Sequence, residues 1–221
     1  MSRHEDETEL DGPPEDPTEV DSCLSRAIGC KAALSWVKER HGTAGVEKVL
    51  ARLHTEDRRL LASAKAFDWV PFLLHARLLE SIDAVVGAGD LASLHAVGVG
   101  MARRELPVVG RMFMRIVSPG FFLDKVMRLW PILHSRGRWE LTRGPGTVRG
   151  LLVDHPDHHP AFCAQTLGFA EGALTMTGAV EPRAVELTCA ARGAPYCSYE
   201  MTWKELGSRR GPTDRIPKPP S

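Results

Sequence analysis

The sequence predicts an α+β fold, and three observations carry that reading. Apolar residues recur at helical spacing almost without interruption from Cys30 to Leu133. From Arg138 the pattern changes to two β-type runs joined by Gly144-Pro145-Gly146, which reads as a hairpin. One more helical segment and a second pair of β-type runs about Gly193 follow.

In chain order, a first helix presents Ala33, Leu34, Trp36 and Val37 and stops at Gly42, where a glycine is suited to end it. Val46, Val49, Leu50 and Leu53 mark a second, short helix. Thr55 caps a third, with Glu56 and Asp57 in the first turn, where the helix dipole favours negative charge, and Leu60, Leu61 and Ala64 facing inward. Pro71 opens the main core helix, whose stripe of Leu74, Leu78, Ile82, Val85 and Val86 ends at Gly87. Asp90 caps the next helix through Met101, Leu106 to Val117 forms another, and Ser118-Pro119 restarts a helix through Leu133. No repeat of fixed period runs through these helices, which excludes a solenoid.

The first hairpin pairs Arg138–Thr142 with Thr147–Val153, and His155 to Pro160 is a loop. The following helix, residues 161–176, has Ala164, Gly168 and Gly172 at i, i+4 and i+8. That leaves one face nearly bare for close approach to a sheet or a second helix, with packing on the sheet as the ordinary reading. The last hairpin runs Arg183–Ala191 and Tyr196–Trp203.

Composition bounds what this arrangement does. A chain of 221 residues with 43% apolar content buries one substantial core. Residues 1–21 carry nine acidic side chains against Arg3 alone, so the formal charge of zero divides into an acidic tail and a body near +8. We therefore expect a disordered acidic tail over 1–26, one domain over 27–204, and a basic Pro-rich tail over 205–221. No secretory signal layout and no membrane-length apolar run is present, so a cytoplasmic protein without a membrane span is expected. Arg103, Arg104, Arg111 and Arg115 give a solvated basic edge without interleaved aromatics, which argues against direct nucleic-acid binding. No Ser/His/Asp order, carboxylate pair or phosphate loop stands out, so no enzyme activity is expected.

The chemistry concentrates in Cys163, Glu186, Cys189 and Cys197. If the last hairpin turns about Gly193, Cys189 and Cys197 stand opposite one another, with Cβ atoms about 5 Å apart. Glu186 and Cys189 are three apart and would face opposite sides of a straight strand, so sharing a site requires a bulge. Spacing alone leaves a metal site, buried free thiols and a cross-strand cystine all open. Cys23 and Cys30 read as bystanders.

Cys163-x4-Gly168-x3-Gly172 followed by Glu186-x2-Cys189-x3-Gly193-x3-Cys197 resembles the 4-vinyl-reductase-type domain, the sensor domain of activators of aromatic catabolism. Its superfamily also includes haem-based nitric oxide sensors and a trafficking-tether component. The resemblance is firm from about Trp130 to Trp203. It implies a helical layer packed on a small antiparallel sheet, with zinc on Cys163, Glu186, Cys189 and Cys197. Three thiolates and a carboxylate close the coordination shell, which makes such a zinc structural. The superfamily's haem sensors use Tyr-x-Ser-x-Arg, and neither Tyr196 nor Tyr199 begins that motif, so haem is not expected.

A sensor of this kind needs a pocket. Phe113, Phe122, Trp130, His134 and Trp139 are the candidate walls for a small apolar or aromatic ligand, while His155, His158 and His159 read as a solvated loop. With no ATPase or helix-turn-helix motif following, output is expected through a homodimer or a protein partner. The alternative is a ligand-free interaction module of the same fold, with an apolar patch on the Leu106 to Val117 helix.

Overall fold

The computed structural model describes residues 22–106 and 118–204. The fold is α+β, with the helices of the N-terminal half layered on an antiparallel sheet. The helix expected over 107–117, with Phe113, Arg111 and Arg115, lies outside the described residues, as do both chain ends.

The chain enters through β1 (Leu24–Arg26), which pairs antiparallel with β2 (Trp69–Pro71). Residues 24–26 thus belong to the fold, a correction to the tail boundary expected at 26. Helix α1 (Ile28–Ala51) is broken at Gly42, whose φ of 68° and ψ of −174° interrupt the helical path. The stop signal there is obeyed, and the chain then resumes helix in a new direction. Helix α2 (Thr55–Ser63) is tied to α3 (Phe72–Val86) by Arg77, which donates two hydrogen bonds to the Asp57 carboxylate at 2.8 and 2.7 Å. Leu60 is exposed rather than inward. Along α3, Leu74, Leu78 and Ile82 are fully buried, as the apolar stripe predicts.

Helix α4 (Ala92–Glu105) starts after Leu91, which takes a left-handed φ of 68°. The carboxylate of Asp90 accepts from the Ala92 amide and that of buried Asp83 from the Leu91 amide, each at 3.0 Å. Two helices, α5 (Pro119–Met127) and α6 (Trp130–Leu133), replace the single one expected up to Leu133. Pro131 explains the break, because inside a continuous helix it has no N–H for the preceding turn and its ring clashes there. At the start of α5, Ser118 Oγ accepts from the Phe121 amide.

Strands β3 (Arg138–Gly144) and β4 (Thr147–Val153) form the expected hairpin, followed by α7 (Pro160–Met176), β5 (Val180–Thr188) and β6 (Cys197–Lys204). The four strands pair antiparallel in the order β3-β4-β6-β5. One side of α7 lies on this sheet. Its bare face instead meets α4: the Gly168 backbone lies against the His95 carbonyl, and a methyl group at Gly172 would stand 2.8 Å from the Ala102 Cβ. Of the two partners the bare face allows, it meets a helix, while packing on the sheet falls to the other side of α7. Reciprocally, Gly98 of α4 lies against the Gln165 carbonyl of α7. Among the described residues, no helix is long and apolar enough to cross a membrane.

Candidate functional site

The C-terminal corner is built by α7, β5 and β6. Cys163 projects from the second turn of α7, and its Sγ lies 3.9 Å from Cys189 Sγ and 3.8 Å from Cys197 Sγ. All three thiols are buried and unoxidised. A disulfide requires sulfurs ~2.05 Å apart. Three thiolates held ~2.3 Å from one tetrahedral ion stand roughly 3.8 Å apart, so these sulfurs have the spacing of a metal site.

The bulge that the sequence demanded is present. Glu186 pairs with Tyr199 and Thr188 with Ser198, so Leu187 is an extra residue between them. This puts Glu186 and Cys189 on the same, inner face. The 3-10 turn Ala190–Arg192 and the left-handed Gly193 then return the chain, and the Ala190 amide donates to Cys197 Sγ at 3.4 Å. Glu186 stands at the rim: its Oε2 accepts from Arg192 at 2.8 Å, its Oε1 is buried with no hydrogen-bond partner, and it is not in the group whose donors lie within 4.8 Å of one another.

Electrostatics separate the thiols. The hydrogen bond from Cys163 pulls the Cys197 thiol well down, helped by the Ala190 amide and His158. The same bond and burial push Cys163 up, while burial and then the charge of Glu186 raise Cys189. Cys197 is therefore the one of the three most readily held as a thiolate. His158 Nδ1 lies 3.3 Å from Cys197 Sγ, a neighbour the loop reading missed.

The second feature is a cavity of ≈ 330 Å³ where the helices approach the sheet. Trp130, His134 and Trp139 line it, whereas Phe122 does not and packs instead against the core; Phe113 lies outside the described residues. Trp130 stacks on His134 with ring centroids 3.9 Å apart and meets Trp139 edge-on at 5.6 Å. Its Nε1 donates to the Arg136 carbonyl at 2.9 Å.

His75 and Phe162, neither foreseen, also face this cavity. Burial pushes His75 down to about 4, and neither of its ring nitrogens has a hydrogen-bond partner. It is thus a neutral imidazole in an apolar setting. The signal was the spacing Phe72, His75, Ala76, Leu79, which places His75 on the buried side of α3. His155 corrects the solvated-loop expectation, since it is 5% exposed and packs edge-on against Phe72 at 4.9 Å.

No family model and no curated protein matches the chain. Solved structures do. The Fe(II) unliganded H-NOX protein from K. algicida is 11% identical with a TM-score of 0.62, covering 81% of this chain and 97% of its own. An H-NOX protein from S. oneidensis in the Fe(II)NO state is 14% identical with a TM-score of 0.58, over 81% and 99%. A third, from a study of haem distortion in the H-NOX family, is 10% identical with a TM-score of 0.53, over 81% and 95%.

These neighbours correct the cofactor expectation of zinc with haem excluded, because the fold belongs to iron-bearing proteins, one of them studied for its haem. A five-residue motif is too narrow a ground for exclusion, since axial ligation of iron asks only for an imidazole beside an apolar slot. The likeness supports the fold that the sequence resemblance implies, and it does not confirm the 4-vinyl-reductase-type assignment. The chain has the H-NOX fold.

Proposed function

We propose that the chain is a small-molecule sensor domain, not an enzyme, and that its ligand is a flat, largely apolar group, haem first among them, taken into the cavity beside His75 and His134. The observation that carries this reading is His75, a buried neutral imidazole with both ring nitrogens unpartnered at the wall of an apolar cavity. Unpaired buried polar atoms are costly, and a ligand that satisfies them recovers that cost. The lining fits haem: the neutral imidazole of His75 for iron, and Trp130, Trp139 and Phe162 for the ring faces. When bound, haem supplies an iron that takes diatomic ligands; the chain's residues orient it and exclude water.

Hemin added to the reduced protein is expected to form a one-to-one complex with a sharpened Soret band. His75→Ala should weaken it by about tenfold or more, equivalent to ~1.4 kcal/mol. If hemin shows no saturable binding and an apolar aromatic dye likewise finds no site sensitive to His75, the sensor reading is lost.

Two further parts belong to this reading. The domain proposed over 27–204 gains β1 at its start and passes its signal to a second copy or a protein partner; β5, at the sheet edge, exposes Val185 and Leu187 for such contact. Cys163, Cys189 and Cys197, with Glu186 at the rim, bind a thiophilic metal ion that fastens α7 to the last hairpin. Titrated with Co2+ after reduction, Cys189→Ser is expected to lose one equivalent of bound metal; undiminished stoichiometry would remove the clamp.

A further inference from the structure

We propose that Cys23, His134 and His155 form a second metal site, separate from the three-cysteine corner, which takes a late first-row transition ion through one sulfur and two nitrogens. It lies beyond the sensor reading and stands on different observations. Three segments remote in sequence meet here: the residue before β1, the residue after α6, and the loop that leaves β4. All three side chains are buried, and one donor atom from each lies within 4.8 Å of the others.

Two observations favour an ion over ordinary core packing. His155 is 5% exposed, yet neither of its ring nitrogens has a hydrogen-bond partner. Native cores rarely leave such groups unsatisfied, and coordination is one way to satisfy them. The other donors are held in place by outer contacts of the kind that orient metal ligands. Ser25 Oγ lies 3.0 Å from His134 Nδ1 and fixes that ring. The Cys23 amide donates to Asp157 Oδ2 at 2.6 Å, and the Cys23 carbonyl accepts from the Phe72 amide at 2.8 Å, which pins the backbone that carries the thiol.

The chemistry narrows the ion. One thiolate and two neutral imidazoles form a borderline donor set, suited to cobalt, nickel, copper or zinc and unsuited to magnesium or calcium. Bonds of ~2.0–2.3 Å to one tetrahedral ion place donors roughly 3.3–3.8 Å apart. A spacing within 4.8 Å closes to that by side-chain rotation of about 1 Å. Three protein ligands leave a fourth position open, and the carboxylate of Asp157 adds negative charge beside the thiol. Trp130 and Phe72 pack their rings on the two imidazoles and screen the donors from bulk water.

The test is Co2+ titration of the full-length reduced protein, read by thiolate-to-cobalt charge-transfer absorption and by metal content after desalting. Cys23→Ser and His155→Gln are each expected to lose one equivalent relative to the unsubstituted protein. In the Cys189→Ser background a thiolate-bound cobalt should persist and should disappear when Cys23→Ser is added. Unchanged stoichiometry in folded Cys23→Ser and His155→Gln overturns the site. Should either variant fail to fold, side-chain 1H–15N spectra of the unsubstituted protein decide: added Cd2+ must shift the ring nitrogens of His134 and His155, and invariance rejects the proposal. None of these readouts depends on hemin, so the sensor reading and this site fail separately.

Discussion

Alanine at Gly168 is expected to destabilise the protein by about 3 kcal/mol, the upper range for overpacking. In an exposed helix the same change adds helix propensity and stabilises by ~1 kcal/mol. The sign reverses here because a Cβ at Gly168 would overlap the backbone carbonyl of His95, which cannot swing aside as a side chain can. Gly178→Ala is the control: it has open space around it but a φ of 81°, so only the left-handed backbone penalty of ~1 kcal/mol applies. Urea unfolding of both variants measures the difference. If Gly168→Ala is no less stable than Gly178→Ala, α4 and α7 do not pack at backbone distance.

Acidification gives the second large effect. Burial lowers His75 to about 4, while the unfolded chain titrates near the ordinary imidazole value of ~6.5. Between those values the unfolded state binds the proton and the folded state does not, so stability rises with pH. The contribution is fully present above about pH 6.5 and is lost as pH falls toward 4, amounting to about 3 kcal/mol. Unfolding free energies of the ligand-free protein across this window should show the slope. His75→Phe, which keeps an apolar ring in the same place, should reduce the slope by one proton's share and leave that of buried His134 and His155; an unchanged slope in that variant would place the proton uptake elsewhere.

Local signals in the sequence marked most element ends. Gly42, Gly87, Ser118-Pro119 and Gly144-Pro145-Gly146 each act through backbone geometry that the residue itself dictates, and each falls at a break or turn in the structure. The cysteine corner was legible for a related reason: its side chains lie on neighbouring elements, and the bulge at Leu187 followed from strand alternation if Glu186 and Cys189 share a face. The cavity was half legible, through Trp130, His134 and Trp139.

What escaped prediction depends on long-range contact. His75 looks like one polar residue in an apolar helix until Phe162 packs edge-on against it at 5.5 Å. Cys23 and His155 are brought together by the closing of the chain, which no local pattern records. Strands of three residues, such as β1 and β2, carry too few side chains to show alternation. The bare face of α7 was visible, but its partner was not, since glycine spacing states that something approaches without stating what.

The interlock between α4 and α7 also sets the order in which a nascent chain can mature. The groove along Gly98 leaves the ribosome with α4, well before residues 160–176 exist to fill it. That later helix supplies Phe162, which packs on His75, and Phe169 to the wall of the cavity. Its final closure therefore waits on the same helix that delivers Cys163 to the cysteine corner.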